Sequence, residues 1–344
     1  MSQTQENPAP PPLFTALTTS SRQILTLLKC IGFQSKAQLQ ISADGLRVTV
    51  EDSHVMQGHA FIDKNLFTTY TFHPPPHLTE NLEEDEDPVI QFGISLTALL
   101  ECLQIFGGGD AGGGGGGKWR GSGGRAGGGG EGWSGGTAGV SAFDHSLLRI
   151  AGTCRFLYEE GGPLCLILEE SPITTTCELT TYTPAPLPDI PLSPTLTRKI
   201  ILKSSLLYDA ITELSSSSTH PSSSSFLVVS TSPTPPHFTL SSTSPLGTTT
   251  VEFSNDGELL ETFMVSRRAK DVYRFDLVRH ARGAMAVATK VSVRSDQGGV
   301  LSLQFMVEWE GRASFVDFRF LGVDDREGGG GGWGENAEEE GEGE

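Results

Sequence analysis

Residues Gly112 to Lys118 read G-x-x-x-x-G-K, the spacing at which backbone amides cradle phosphates and a lysine reaches them. The chemistry stops there. Trp119 occupies the place of the Ser or Thr that would hold magnesium, and no strand–loop–helix pattern surrounds the run. His73 and His77 flank three prolines, so they cannot share a helix face as metal ligands. Glu83 to Asp87 is rich in carboxylates, but a two-metal nuclease needs them held on different elements, and this run is contiguous. The five cysteines (Cys30, Cys102, Cys154, Cys165, Cys177) form no C-x-x-C pair and show no metal-ligand spacing. Buried, reduced thiols are expected. Ser193, Ser232, Thr234 and Ser244 each precede a proline and could be phosphorylated if their loops are exposed. No catalytic residue, metal ligand or cofactor site is assigned.

What remains is charge and its placement. The net charge is −18, yet nine acidic residues lie in Asp324 to Glu344 and six in Glu80 to Asp87. The rest of the chain is only mildly acidic, which leaves room for a basic surface. Cations recur on predicted helices. The first helix, Ser20 to Ile31, carries an apolar stripe of Ile24, Leu27, Leu28 and Ile31, with Arg22, Thr26 and Lys29 on the opposite face. Lys203 opens a later helix, and Arg279 and Arg282 lie in the last one.

The elements that hold these helices repeat. The first half reads strand (Leu13 to Leu17), helix, hairpin, strand (Gly58 to Ile62), strand (Val89 to Ile94) and helix (Ser95 to Phe106). Strands at Ser146 to Ile150, Pro163 to Glu169 and Thr174 to Thr180 follow. In the hairpin, Leu39 and Ile41 alternate with polar residues, Asp44-Gly45 turns the chain, and Leu46, Val48 and Val50 alternate again. The second half reads strand (Lys199 to Lys203), helix (Ser204 to Leu214) and strands at Phe226 to Ser230, Phe238 to Ser241 and Thr249 to Phe253. Strand Val272 to Phe275, a short helix from Asp276 and a meander through Val287 to Arg294, Val300 to Trp309 and Ser314 to Phe320 complete it. Two helices per half, each introduced by a strand, make a pseudo-duplication in pattern though not in residue identity. The helices Leu96/Leu99/Leu100/Leu103 and Leu207/Ala210/Ile211/Leu214 each offer one stripe to a sheet, behind Ser95 and Ser204-Ser205 respectively. Antiparallel sheets covered on one face are expected.

Four tracts interrupt this pattern: a proline-rich leader (1–12), a glycine tract (107–139), a serine tract (215–225) and an acidic tail (324–344). None carries enough apolar surface to offset the entropy of ordering it. Two domains, 13–180 and 198–323, are therefore expected on either side of a connector, 181–197. Five prolines in that connector favour an extended, stiff path. No apolar run approaches the roughly 20 residues of a membrane span. The start lacks the basic and apolar regions of a signal peptide. A soluble intracellular protein is the expectation.

The ordered set PLFTALTTSSRQILTLLKCIGF, VTVEDSHVMQGHAFI, ISLTALLECLQIFG, GGPLCLILEE with TTTCELTT, KIILKSSLLYDAITEL and KVSVRSDQGGVLSLQFMVE resembles the Rad-one subunit family of the heterotrimeric nine-one-one checkpoint clamp, related to proliferating cell nuclear antigen. The resemblance covers most of the chain outside the low-complexity tracts. It implies an α+β, two-domain DNA sliding-clamp fold, with antiparallel sheets outside and helices lining the DNA-facing side. It implies a non-catalytic subunit that joins two other clamp-like chains in a ring around double-stranded DNA, without sequence specificity. A nuclear location, a clamp loader and recruited repair and checkpoint factors follow as further implications, with no cofactor and no membrane. Such a ring needs mobile cations facing its hole, which assigns Arg22, Lys29, Lys203, Arg279 and Arg282 to DNA. Glu101 and Asp209 on neighbouring polar faces would make the pore unevenly basic.

In clamps the connector borders a groove for short partner peptides, which assigns Thr181, Tyr182, Leu187, Ile190 and Leu192 to partner binding. Ring closure would pair edge strands between subunits, and Thr174 to Thr180 and Thr249 to Phe253 are the candidate edges. Two other readings compete. A 3′–5′ exonuclease on DNA needs convergent carboxylates on folded elements, and no such set is visible. A self-assembling replication clamp would form a homotrimer.

Overall fold

The computed structural model describes residues 11–19, 21–79, 87–107, 152–170, 172–183, 187–216, 225–244, 247–309 and 311–323. The first half contains strands β1 (Phe14–Thr18), β2 (Lys36–Ser42), β3 (Gly45–Asp52), β4 (Met56–Asp63), β5 (Thr69–Phe72), β6 (Ile90–Ser95), β7 (Thr153–Tyr158), β8 (Leu164–Glu170) and β9 (Ile173–Leu179). Its helices are α1 (Ser21–Cys30), α2 (Pro76–Thr79) and α3 (Leu96–Gly107). The second half contains β10 (Leu196–Lys203), β11 (Phe226–Thr231), β12 (Phe238–Ser244), β13 (Gly247–Phe253), β14 (Leu260–Val265), β15 (Ala269–Arg274), β16 (Lys290–Asp296), β17 (Leu301–Trp309) and β18 (Arg312–Phe320). Its helices are α4 (Ser204–Ser216), α5 (Phe275–Val278) and α6 (Arg282–Val287), the last two joined by a 3₁₀ turn at Arg279–Ala281.

The strands form three antiparallel sheets, in the orders β5-β1-β7-β8-β9, β13-β12-β11-β15 and β14-β10-β16-β17-β18-β4-β3-β2-β6. The duplication expected from the pattern is visible in these orders. Adding nine to each strand number turns β5-β1-β7-β8-β9 into β14-β10-β16-β17-β18, and β4-β3-β2-β6 into β13-β12-β11-β15. The nine-stranded sheet is therefore one sheet from each half, joined where β18 pairs with β4 over Phe315–Phe320 and Met56–Phe61.

Local chemistry accounts for the joints. The β2–β3 hairpin turns through Ala43 and Asp44, one residue earlier than expected, with Ser42 opposite Gly45. Gly45 has φ +146°, and a Cβ there would meet the Ile62 carbonyl oxygen at 2.3 Å, so the neighbouring strand requires glycine. Ser95 caps α3, its Oγ accepting from the Ala98 N–H at 3.2 Å. Ser204 instead donates to the Met285 carbonyl at 2.9 Å and ties α4 to α6. The stripes Ile24/Leu27/Leu28/Ile31 and Leu207/Ala210/Ile211/Leu214 are buried as expected. So are Leu96, Leu99 and Leu103, whereas Leu100 is half-buried.

Several expectations need correction. The strand read at Ser146 to Ile150 lies outside the described residues, while β7 runs at Thr153–Tyr158 in the middle of its sheet. β5 and β14 were not expected, and both are sheet edges of weak apolar contrast. Only Cys30 and Cys154 are buried; Cys102, Cys165 and Cys177 are half-buried. Ser232, expected in an exposed loop, is buried and hydrogen-bonded to Thr234. The G-x-x-x-x-G-K run lies outside the described residues.

Candidate nucleic-acid interface and docking surfaces

The helices form one layer. α1 packs on α3, α4 packs on α6, and α1 meets α6 where the halves join. Gly283 of α6 lies against Cys30 and Lys29 at that junction. Of the cations assigned to DNA, Arg22 and Lys29 are exposed on α1, and Lys203 is exposed at the passage from β10 to α4. Arg279 and Arg282 are half-buried and engaged in packing. The Arg279 guanidinium lies 4.7 Å from the Phe275 ring centroid, and that of Arg282 lies 5.4 Å from the Tyr208 ring. Arg282 also donates to Thr212 Oγ1 at 3.5 Å, which joins α6 to α4. Glu101 on α3 and Asp209 on α4 are exposed, so the layer is cationic mainly along α1 and the α5–α6 segment.

The opposite face of the nine-stranded sheet carries the connector. Tyr182 pairs with Gly93 through two backbone hydrogen bonds, 2.8 and 3.1 Å, and its hydroxyl donates to the Ile94 carbonyl at 2.9 Å. Gly93 is a steric requirement here, because a Cβ would stand 2.2 Å from the Tyr182 ring. Thr181 donates to the Gly162 carbonyl at 2.8 Å. Further along, the Gln57 side chain grips the backbone twice, donating to the Pro188 carbonyl and accepting from the Ile190 N–H, both at 2.8 Å. Arg319 donates to the Ile190 carbonyl at 2.7 Å, and Arg47 pairs with Asp189 at 3.1 Å. The Ser193 N–H donates to Asp296 at 2.9 Å. Ile190 is buried and Leu192 half-buried, so the described connector residues are fastened to the sheet at several points.

Between connector and sheet lies a cavity of about 460 Å³ whose lining includes Lys36, Gln38, Glu51, His54, Tyr182 and Leu187. Thus Tyr182 and Leu187 face a cavity, whereas Thr181 and Ile190 hold the connector in place. His54 reaches the rim through a turn in which Ser53 and His54 both have positive φ, 56° and 58°. Glu51 stabilises that turn by accepting from the His54 N–H.

Pattern reading missed a buried polar network beneath the connector. His59 and Asp317 are both buried. Arg47 and Thr49 approach His59 Nδ1 at 3.1 and 3.0 Å. Asp317 accepts from Ser302 at 2.6 Å and from Arg319 at 3.0 Å, with Arg294 at 3.6 Å. Burial, then the charges of Arg47 and Arg319, push the His59 pKa down to about 4, so the ring is neutral at pH 7. The alternation Gln57, His59, Phe61 was the available signal; it places these residues on the face away from the helices.

Among the described residues no group of three or more His, Cys, Asp or Glu is arranged to hold a metal ion. No described helix is long and apolar enough to cross a membrane.

Comparisons with known proteins agree with this architecture. A family model described as "Repair protein Rad1/Rec1/Rad17" matches residues 13–307. The DNA damage checkpoint control protein rad1 of Schizosaccharomyces pombe is 33% identical over 322 residues, covering 91% of this chain and 87% of the relative. The cell cycle checkpoint protein RAD1 of Mus musculus is 29% identical over 300 residues, covering 86% of this chain and 88% of the relative. A solved structure of the PCNA2-PCNA3 complex from Sulfolobus tokodaii superposes with a TM-score of 0.60 at 14% identity, over 90% of this chain and 98% of that one. The α+β two-domain clamp fold is thereby shown.

Proposed function

This chain belongs to the Rad1/Rec1/Rad17 repair-protein family, and from that premise we propose that it is a non-catalytic subunit of a heterotrimeric checkpoint clamp that encircles DNA at damage sites. The observation that carries the proposal is the strand arithmetic of the sheets. β18 and β4 pair within the chain, and their counterparts nine strands away, β9 and β13, end their own sheets with no second strand partner among the described residues. Their exposure alternates identically, residue by residue, along ITTTCEL and GTTTVEF. A neighbouring subunit that supplied its own β13 to β9, or β9 to β13, would repeat the internal seam, and three such seams close a ring.

Arg22, Lys29, Lys203, Arg279 and Arg282 are the residues proposed to meet DNA phosphates. The cavity beside Tyr182 and Leu187, with Thr181, Ile190 and Leu192 holding its wall, is proposed to take short peptides of recruited repair and checkpoint factors. Nuclear location, a clamp loader and duplex DNA as ligand belong to the same proposal. Neither the exonuclease nor the self-assembling clamp is favoured by the family and the fold.

Co-expression with two other clamp-like chains tests the reading. The expected product is a three-chain particle by gel filtration, dispersed by a proline in β9 (Thr176→Pro) or β13 (Thr250→Pro) while circular dichroism shows the chain still folded. A stable homotrimer of this chain alone, or no association, would sink it. On circular duplex DNA, Arg22→Glu with Lys29→Glu should reduce the salt dependence of retention by about two units of slope.

A further inference from the structure

The corner where α3 meets the edge of the five-stranded sheet holds three thiols. Cys102 sits on the half-buried side of α3, and Cys177 lies on β9. Along β9 the inward positions are Thr175, Cys177 and Leu179, while Thr174, Thr176 and Glu178 are exposed, so the Cys177 thiol is directed toward the helix layer. α3 packs directly on β8 and β9. The Cys177 thiol lies near enough to Cys102 to help hold its pKa up. Cys154 is near them but buried on β7, with β8 intervening between its strand and β9. Cys165, on the opposite side of β8, faces away.

We propose that Cys102 and Cys177 are a redox-responsive pair that closes to a reversible disulfide under a hydroperoxide, covalently joining α3 to the edge strand β9. This is a property of the single chain and does not depend on ring assembly. In the first step Cys177–SH reacts with hydrogen peroxide: an S–O bond forms, the peroxide O–O bond breaks, and water leaves, giving Cys177–SOH. In the second, Cys102 sulfur attacks that sulfur, the S–S bond forms, the S–OH bond breaks, and a second water carries away the Cys102 proton. Two thiols are oxidised, and one peroxide is reduced to two waters. Burial, the neighbouring thiol and Glu101 hold the Cys102 pKa up at about 11, so Cys102 is almost wholly protonated at pH 7 and is not the sulfur that meets peroxide first. Cys30 and Cys154 are shielded by burial, which pushes each thiol up to about 12.

The test treats the full-length chain with hydrogen peroxide under native conditions, alkylates the remaining thiols, and maps peptides by mass spectrometry. The expected result is a Cys102–Cys177 cross-linked peptide, lighter by two hydrogens than the sum of its parts and restored by dithiothreitol. Cys30 and Cys154 should alkylate only after unfolding. Cys154→Ser should keep the cross-link, and Cys177→Ser should abolish it. Recovery of Cys102 and Cys177 as separate thiols, as separately oxidised acids, or with Cys102 joined to Cys154 would overturn the proposal. The wild-type map needs no variant, so a misfolded mutant cannot obscure the outcome.

Discussion

His59 and Asp317 stand directly opposite each other across the β4–β18 ladder, one from each half of the chain, and both are buried. Arg47 links the pair to the connector by touching His59 on one side and Asp189 on the other. The seam between the halves and the strap across it therefore share one polar network. Such a network stabilises a unique arrangement only while its members are satisfied.

The first prediction concerns acid. His59 has its pKa lowered from 6.5 to about 4. The unfolded chain therefore binds a proton that the folded chain refuses between those values. The sign follows: stability from this group is fully present above about pH 6.5 and falls as the pH drops toward about 4, by at most about 3 kcal/mol. His59→Gln should flatten the slope of urea-unfolding free energy against pH in that window. An unchanged slope would show that the imidazole is not the titrating group.

Gln57 gives the second. Its amide satisfies two connector backbone groups at once. Gln57→Ala should cost about 1–3 kcal/mol and speed proteolytic cleavage within residues 187–195. Gln57→Glu keeps only the acceptor and should fall between alanine and wild type.

Gly93 gives the third. Gly93→Ala drives a methyl into the Tyr182 ring and should destabilise by about 1–3 kcal/mol. Hydrogen exchange at the Tyr182 and Gly93 amides, which bond each other's carbonyls, should accelerate more than exchange in β17. Equal protection in both places would refute the placement of Tyr182.

The fourth rests on Arg198, whose side chain is buried, pairs with Asp271 and donates to the Val229 carbonyl at 3.2 Å. It ties the nine-stranded sheet to the four-stranded one. Asp271→Ala strands the charge and should cost about 3 kcal/mol in urea unfolding. Arg198→Met with Asp271→Ala should recover part of that loss, because the stranded charge is then gone. A double variant less stable than the single one would contradict this account.

Much of this molecule was legible in local pattern. The stripes on α1 and α4 and the alternation in β2, β3, β17 and β18 are dictated by which face of each element is apolar. The edges at β9 and β13 were legible too, since threonine-rich strands with polar faces suit the border of a sheet. β7 carried a readable signal in Cys154, Phe156 and Tyr158, three alternate buried residues, but the preceding glycine tract drew the strand to residues 146–150. The cations were harder. Arg22 and Lys29 project from α1 as the helical period predicts, whereas Arg279 and Arg282 lean on Phe275 and Tyr208.

By itself the sequence determined the element types, the twofold repetition and the family, because those depend on neighbours within a few residues or on ordered wording along the chain. The tertiary structure alone decided that β4 meets β18, that His59 meets Asp317, and that Gln57 holds a connector more than a hundred residues away. It also packed α3, which carries Cys102, on β9, which carries Cys177. These are pairings between distant segments, and their energies come from burial and backbone satisfaction that exist only once the sheets have closed.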